Sequence, residues 1–204
     1  MATITRDDID AMEKLYRINL INSCTGYKSA NLIGTQSKNG LTNVAVFSSV
    51  THLGSNPPLL GFITRPAVVP RDTYENIRET GVYTINHIHQ KIVQDAHHTS
   101  AKYPKEVSEF DQTNLQTEYR NDFAAPYVKD CNVQIGMRYL NEYVIEENDT
   151  ILVVGKIEQL YIDDTILETD GFINLAKAET ATINGLDAYA IPKQHARYPY
   201  QRPK

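Results

Sequence analysis

The chain has 204 residues, of which 41% are hydrophobic and 22% charged. That length can bury a core without disulfide staples and reads as one domain over residues 1–204, and the apolar content excludes a disordered chain. Lys plus Arg number 20 and Asp plus Glu 25, so the formal charge of -5 argues against a general nucleic-acid binder.

The N-terminal segment, residues 1–17, holds a helix. Ile9, Met12, Leu15 and Tyr16 recur at helical spacing over residues 7–17, with Thr5 or Asp7 as cap. Residues 1–10 are polar and acidic, with no apolar signal segment, and the longest apolar stretches, 57–63 and 151–154, fall far short of the ~20 residues of a membrane helix. A cytoplasmic chain is expected, with no membrane partner. Cys24 and Cys131 stand apart and read as free thiols in a reducing compartment.

Strands over residues 31–36 and 42–49 flank Ser37-Lys38-Asn39-Gly40, whose Asn-Gly pair signals a tight turn. A third strand over 59–64 follows Pro57-Pro58. Residues 72–79 read as a short helix capped by Asp72 or Thr73, with Gly81 past its end. Residues 82–86 alternate like a strand, and the polar stretch 87–101 reads as helical. Residues 102–126, loop-like from Pro104 to Pro126, are the best candidate for an excursion from the core. Two long strands, 133–145 and 150–161, flank the turn Glu146-Glu147-Asn148-Asp149. The tail, 192–204, carries Lys193, Arg197, Arg202 and Lys204 and no acid; it is an arm that lies on the surface or crosses to another subunit. The fold class is mainly β: an antiparallel core with a few peripheral helices, closed or partly closed as a barrel, which covers its edges.

No dinucleotide fingerprint, Walker-type loop, nucleophile elbow or His-Glu-x-x-His is present. His87 and His89 would share a face of a strand and could chelate, but His97 and His98 supply no evident third ligand, so no metal site is assigned. One of the four could instead meet a substrate. The segment 39–72 is more informative. A hydrophobic strand runs into Ser48-Ser49-Val50-Thr51, where small hydroxyls and backbone N–H groups can meet an anion. Arg71 then precedes Asp72-Thr73 at a helix N-terminus, a second arrangement that suits a phosphate.

Three ordered blocks carry a family resemblance: Gly26-Tyr27-Lys28-Ser29-Ala30-Asn31-Leu32-Ile33-Gly34-Thr35; Asn39-Gly40 through Ser48-Ser49-Val50 to Pro57-Pro58-Leu59; and Arg71-Asp72-Thr73-Tyr74-Glu75-Asn76-Ile77 with Gly81-Val82-Tyr83-Thr84-Ile85-Asn86 behind it. Ser100 and Ser108-Glu109-Phe110 match a later loop. Over roughly residues 16–160 the chain resembles the flavin reductase-like proteins of the FMN-binding split-barrel fold. The resemblance implies a six-stranded antiparallel Greek-key barrel that binds FMN, with FAD as the alternative, in a homodimer with flavin near the subunit interface. It implies that Asn31, Leu32, Ile33 and Gly34 line the isoalloxazine, partly through backbone groups. Ser48, Ser49 and Arg71 would serve the phosphate, and Lys28 stands where some members carry an arginine. Val50, Thr73 and Asn86 belong to the same blocks and complete the cofactor-binding set. Phe47 and Asn43 depart from the common pattern within it.

The implied activity is an NAD(P)H-dependent flavin reductase, with NADH or NADPH as co-substrate and an oxygenase or other electron-acceptor protein as partner. The cofactors carry that chemistry, so no catalytic side chain is assigned. Two other readings stand beside it. One is an FMN-carrying electron-transfer protein, flavoredoxin-like, with no nicotinamide oxidation. The other is an OB-type nucleic-acid-binding barrel, for which 13 tyrosines offer stacking faces but the charge of -5 is unfavourable.

Overall fold

The structure, a computed structural model, describes residues 1–65 and 71–203. Lys204, the last cation of the C-terminal arm, lies outside them. In chain order the elements are α1 Arg6–Ala11, α2 Lys14–Ser23, β1 Lys28–Ser29, β2 Asn31–Gln36, β3 Thr42–Phe47, β4 Thr51–Ser55, β5 Pro58–Thr64, α3 Asp72–Thr80, β6 Val82–His87, α4 Val93–His98, β7 Thr117–Glu118, β8 Tyr127–Val128, β9 Val133–Ile145, β10 Thr150–Ile162, β11 Thr182–Asn184 and β12 Ala188–Ala190. Two 3-10 turns, Gln90–Ile92 and Glu109–Gln112, complete them.

Several of these differ from the sequence expectation for local reasons. The single helix over residues 7–17 is two helices. Thr5 closes a capping box with Asp8 on α1, and Glu13 then caps α2 by accepting from the N–H groups of Leu15 and Tyr16. Neither helix buries a residue; Leu15 and Tyr16, spaced as a core face, are 66% and 59% exposed. On α3 the capping position belongs to Arg71, and no side chain caps the helix, because Thr73 turns inward to Asn43. The stretch 87–101 is helical only from Gln90 to His98; His87 ends a strand. The excursion 102–126 is not all loop: it holds a 3-10 turn and β7, which pairs with β8.

The principal sheet is antiparallel, with seven strands in the order β3-β2-β6-β9-β10-β5-β4. Its connectivity requires closure. β3 and β4 are the two edges, which a flat sheet at ~4.8 Å per strand would hold about 29 Å apart. Yet only residues 48–50 join Phe47 to Thr51, a span of at most ~15 Å at 3.8 Å per Cα step. The sheet therefore curls until its edges face each other across that connection.

The inward face packs Ile33, Phe62, Tyr83, Ile85, Val133, Ile135, Met137 and Val153, with Phe47 edge-on to Phe62 at 5.1 Å and Phe62 edge-on to Tyr83 at 5.7 Å. Gly155 on β10 is a steric requirement: a Cβ there would lie 2.2 Å from the Tyr83 hydroxyl oxygen. Leu32 and Val44 on the outward faces of β2 and β3, and Ile88 just past β6, are buried together with Ala96 of α4, Phe110, Val128 and Ile183. β9 and β10 are buried at one end only. The pattern along β9 passes from buried at Val133–Met137 to mainly exposed beyond it, with Leu140, Tyr143 and Val144 open.

Candidate functional site

Because β2 runs antiparallel to both β3 and β6, its first residue meets the last residue of each: Asn31 is in register with Phe47 on one side and His87 on the other. The chain then leaves β3 through Ser48, Ser49 and Val50, the connection that spans the split between the sheet edges. This corner is the candidate site. Two hydroxyls fix it. The Ser49 hydroxyl donates to the Ile63 carbonyl and accepts from the Ile63 N–H, both at 3.0 Å, which ties the connection to β5. The Ser29 hydroxyl donates to the Val50 carbonyl at 3.1 Å and accepts from the Asn31 amide at 3.0 Å, which ties it to β1 and β2. Ser29 was not singled out in the sequence, although its place two residues before Asn31 puts it on the same side of the chain.

The hydrogen-bond partners divide the proposed binding residues. Lys28 donates to the carbonyls of Asn22 and Gly185, at 3.2 and 3.1 Å, and so clamps β1 to neighbouring turns. Leu32 and Ile33 are fully buried on opposite faces of β2. Gly34 packs on protein: a Cβ would lie 2.3 Å from the Pro126 carbonyl oxygen. Asn86 donates to the Leu32 carbonyl and accepts from the Val128 N–H, which fastens β8 over β6. Asn43 is the hub of a buried network. Its carbonyl accepts from Thr35 at 3.2 Å and Thr73 at 2.8 Å, and its amide donates to Glu109 at 2.8 Å. Asn76 donates to Thr35, and the Val44 N–H adds a second bond to Glu109. Burial pushes the Glu109 carboxyl above its usual range, with the nearby Asp72 charge acting in the same direction. Ser108-Glu109-Phe110 matches a later loop of the family, but the long-range link from Glu109 to Asn43 has no sequence signal.

Ser48, Phe47, Val50 and Arg71 are half-buried, and no hydrogen bond to the Ser48 hydroxyl is found among the described residues. The Arg71 Nε is buried and has no partner among the described residues. No hydrogen bond among those residues joins Ser48 or Ser49 to Arg71; β5, which Ser49 grips, leads into the segment that ends at Arg71. The third unpaired group is His87. Its Nδ1 is buried without a partner among the described residues, and burial pushes its pKa down to about 4, so the imidazole beside Asn31 is neutral at neutral pH. The other histidines are separate: His97 Nδ1 lies 3.2 Å from the Tyr189 hydroxyl and His98 Nε2 2.6 Å from that of Tyr103. Among the described residues no group of three His, Cys, Asp or Glu side chains is placed to hold a metal.

The corner thus combines a serine-rich connection, partly buried Phe47 and Val50 and a neutral imidazole; separately, the start of α3 carries a guanidinium with a buried nitrogen unpaired among the described residues. Such a set can take a ligand with a planar polar ring and an anionic tail.

Residues 27–177 match the model of the flavin reductase-like domain. A crystal structure of a candidate flavin reductase with a split barrel domain from Shewanella frigidimarina is 46% identical, covers 98% of this chain and 100% of its own, and superposes with a TM-score of 0.95. Component B of nitrilotriacetate monooxygenase from Bacillus cereus shares the fold at 18% identity, covering 97% of this chain and 98% of its own, with a TM-score of 0.83. Flavoredoxin of Desulfovibrio vulgaris shares it at 19% identity, covering 86% and 92%, with a TM-score of 0.75. The split barrel is therefore the fold of this protein, and the chain belongs to the flavin reductase-like family.

Proposed function

We propose that the protein binds FMN at the corner formed by Asn31, Phe47, residues 48–50 and His87, and catalyses reduction of flavin by NADH or NADPH. Family membership supports a flavin-related oxidoreductase. The observation that carries the reading is that the Ser48 hydroxyl and the buried Arg71 Nε have no hydrogen-bond partner among the described residues. When bound, FMN supplies a hydride acceptor in its isoalloxazine. The chain's own residues hold and orient. Ser48 and the backbone of Ser49 and Val50 offer donors to the polar edge of the ring and its side chain, Phe47 and Val50 exclude water from one face, and Arg71 pairs with the phosphate. Asn43, Thr73 and Asn86 act from behind by fixing β3, α3 and β6. FAD is the alternative flavin wherever the phosphate end of the site opens to solvent.

The likeness to flavoredoxin supports a second reading, an FMN-carrying electron-transfer protein without nicotinamide oxidation. One assay separates the two. Purified protein is mixed with NADH or NADPH and excess FMN, and nicotinamide oxidation is followed by its near-ultraviolet absorbance. The proposal expects multiple turnovers with at least one nicotinamide. Tight FMN binding without turnover would instead establish the carrier. An oxygenase that consumes the reduced flavin is the proposed partner, in the reducing cytoplasm that the two free cysteines suit. A homodimer is proposed as well. The exposed Leu15 and Tyr16 of α2 and the exposed Leu140, Tyr143 and Val144 of β9 are apolar faces that a second copy would cover, and light scattering at micromolar concentration should give twice the chain mass.

A further inference from the structure

A cavity of about 490 Å³ lies outside the corner just described, and its size is that of a small-molecule site. Three segments distant in sequence bring Lys91, Lys129 and Lys177 to it, together with His89. Among the described residues none of these lysines takes part in an ion pair. Lys129 donates to the Gln116 side-chain oxygen at 3.2 Å and Lys177 to the Thr165 carbonyl at 2.5 Å, neutral acceptors that orient the ammonium groups. The Asp130 and Glu179 carboxylates also line the cavity, so three cations face two anions in a chain whose net charge is -5.

The floor carries the second observation. The His89 Nε2 is buried with no partner among the described residues. Burial, and then the charge of Lys91, lowers the His89 pKa, while Asp130 and Glu179 act in the opposite direction. An anion beside Lys91 would reverse the effect of that ammonium and give a protonated Nε2 an acceptor. Ile92, Leu115 and Ala178 form an apolar wall, which a bare inorganic anion would leave uncovered.

We propose that this cavity binds the diphosphate of a nucleotide-type ligand, with Lys91, Lys129 and Lys177 around the phosphate oxygens and the organic part against Ile92 and Leu115. A carboxylate would meet one or two of the three ammonium groups; a diphosphate has oxygens for all of them. His89 lies two residues beyond His87, about 7 Å along extended backbone. The cavity therefore borders the proposed flavin site, and a dinucleotide could reach from one to the other. Only that last step rests on the flavin reading.

Calorimetric titration of the full chain with ADP, pyrophosphate and adenosine tests the proposal, with the Lys91→Ala/Lys177→Ala double variant alongside. The expected result is that ADP binds more tightly than pyrophosphate, that adenosine binds weakly or not at all, and that the double variant loses at least about tenfold in ADP affinity. Pyrophosphate binding as well as ADP would remove the organic part of the ligand and overturn the nucleotide assignment. Adenosine binding as well as ADP, ADP affinity unchanged in the double variant, or no heat with ADP would each overturn the anion site. Both lysines are exposed, so the variant should fold, and unchanged circular dichroism confirms it. FMN titration of the same samples keeps the two claims apart: FMN binding without ADP binding defeats only the cavity, and ADP binding lost with the lysines stands even where FMN does not bind.

Discussion

The two ends of β3 use their polar groups in opposite ways. At its start, Asn43 has three side-chain partners, Thr35, Thr73 and Glu109, all buried. Five residues later, beyond its end, the half-buried Ser48 hydroxyl has no partner among the described residues. A buried polar group must be paired in the folded protein, because leaving it unpaired costs about 1–3 kcal/mol. The first end is therefore scaffold, which joins β3 to α3 and to the 102–126 excursion. The second end retains capacity for a ligand. Of the residues that the family pattern groups together, Lys28, Gly34, Asn43, Thr73 and Asn86 are engaged with protein, and Ser48, Val50 and Arg71 are the contacts we propose for the ligand.

That division can be broken by substitution. The largest effect is expected at Gly34. A Cβ 2.3 Å from the Pro126 carbonyl oxygen forces backbone to move, so Gly34→Ala should lose about 3 kcal/mol or more in chemical denaturation, at the upper end of overpacking costs. Folded Gly34→Ala of normal stability that no longer binds FMN would make Gly34 a ligand contact instead. Next comes Asn43→Ala, which removes a donor from the buried Glu109 carboxylate and the acceptor of two threonines. A loss of about 2–4 kcal/mol is expected, with FMN affinity in the remaining folded protein nearly unchanged.

Arg71→Ala should do the reverse. A charge-assisted bond to phosphate is worth about 1.5–3 kcal/mol, so FMN should weaken roughly tenfold to a hundredfold. Riboflavin, which lacks the phosphate, should bind as it does to the natural chain, and stability should hold. Equal weakening of both ligands would remove Arg71 from the phosphate site. The smallest effect is a pH dependence. Burial raises the folded-state pKa of Glu109 above its ordinary 4.5. Its contribution to stability is complete below that value and declines as pH rises through the raised pKa. Glu109→Gln keeps an oxygen that can accept from Asn43 and Val44. Its stability, measured from pH 4 to about 8, should therefore fall less on the alkaline side than that of the natural protein. Parallel curves would mean that Glu109 does not titrate in this window.

Much of the fold was legible because its signals are local. Strands at Asn31–Gln36, Thr42–Phe47 and Val82–His87, and the long pair Val133–Ile145 and Thr150–Ile162, show apolar patterning bounded by turn residues. β4 was not legible. Thr51–Ser55 is an exposed edge strand with His52 and Gly54 in it and no buried position to impose alternation. The site was legible as a set of blocks but not as roles. Ser48 and Ser49 are equivalent by position, and only the register of β4 on β5, which continues from the Thr51–Gly61 pair to set Ser49 opposite Ile63, separates the engaged hydroxyl from the available one. Asn43 and Glu109 are 66 residues apart, and nothing local announces that bond.

The most direct test of the central claim is titration of the flavin-free natural protein with FMN, followed by quenching of flavin fluorescence and by the visible absorption bands, with Ser48→Ala and Asn43→Ala in parallel. The account predicts saturable quenching by the natural protein, weaker binding by Ser48→Ala at unchanged stability, and near-normal binding by Asn43→Ala despite its lower stability. A folded natural protein that leaves FMN fluorescence unchanged would contradict it, as would Ser48→Ala binding FMN as tightly as the natural chain.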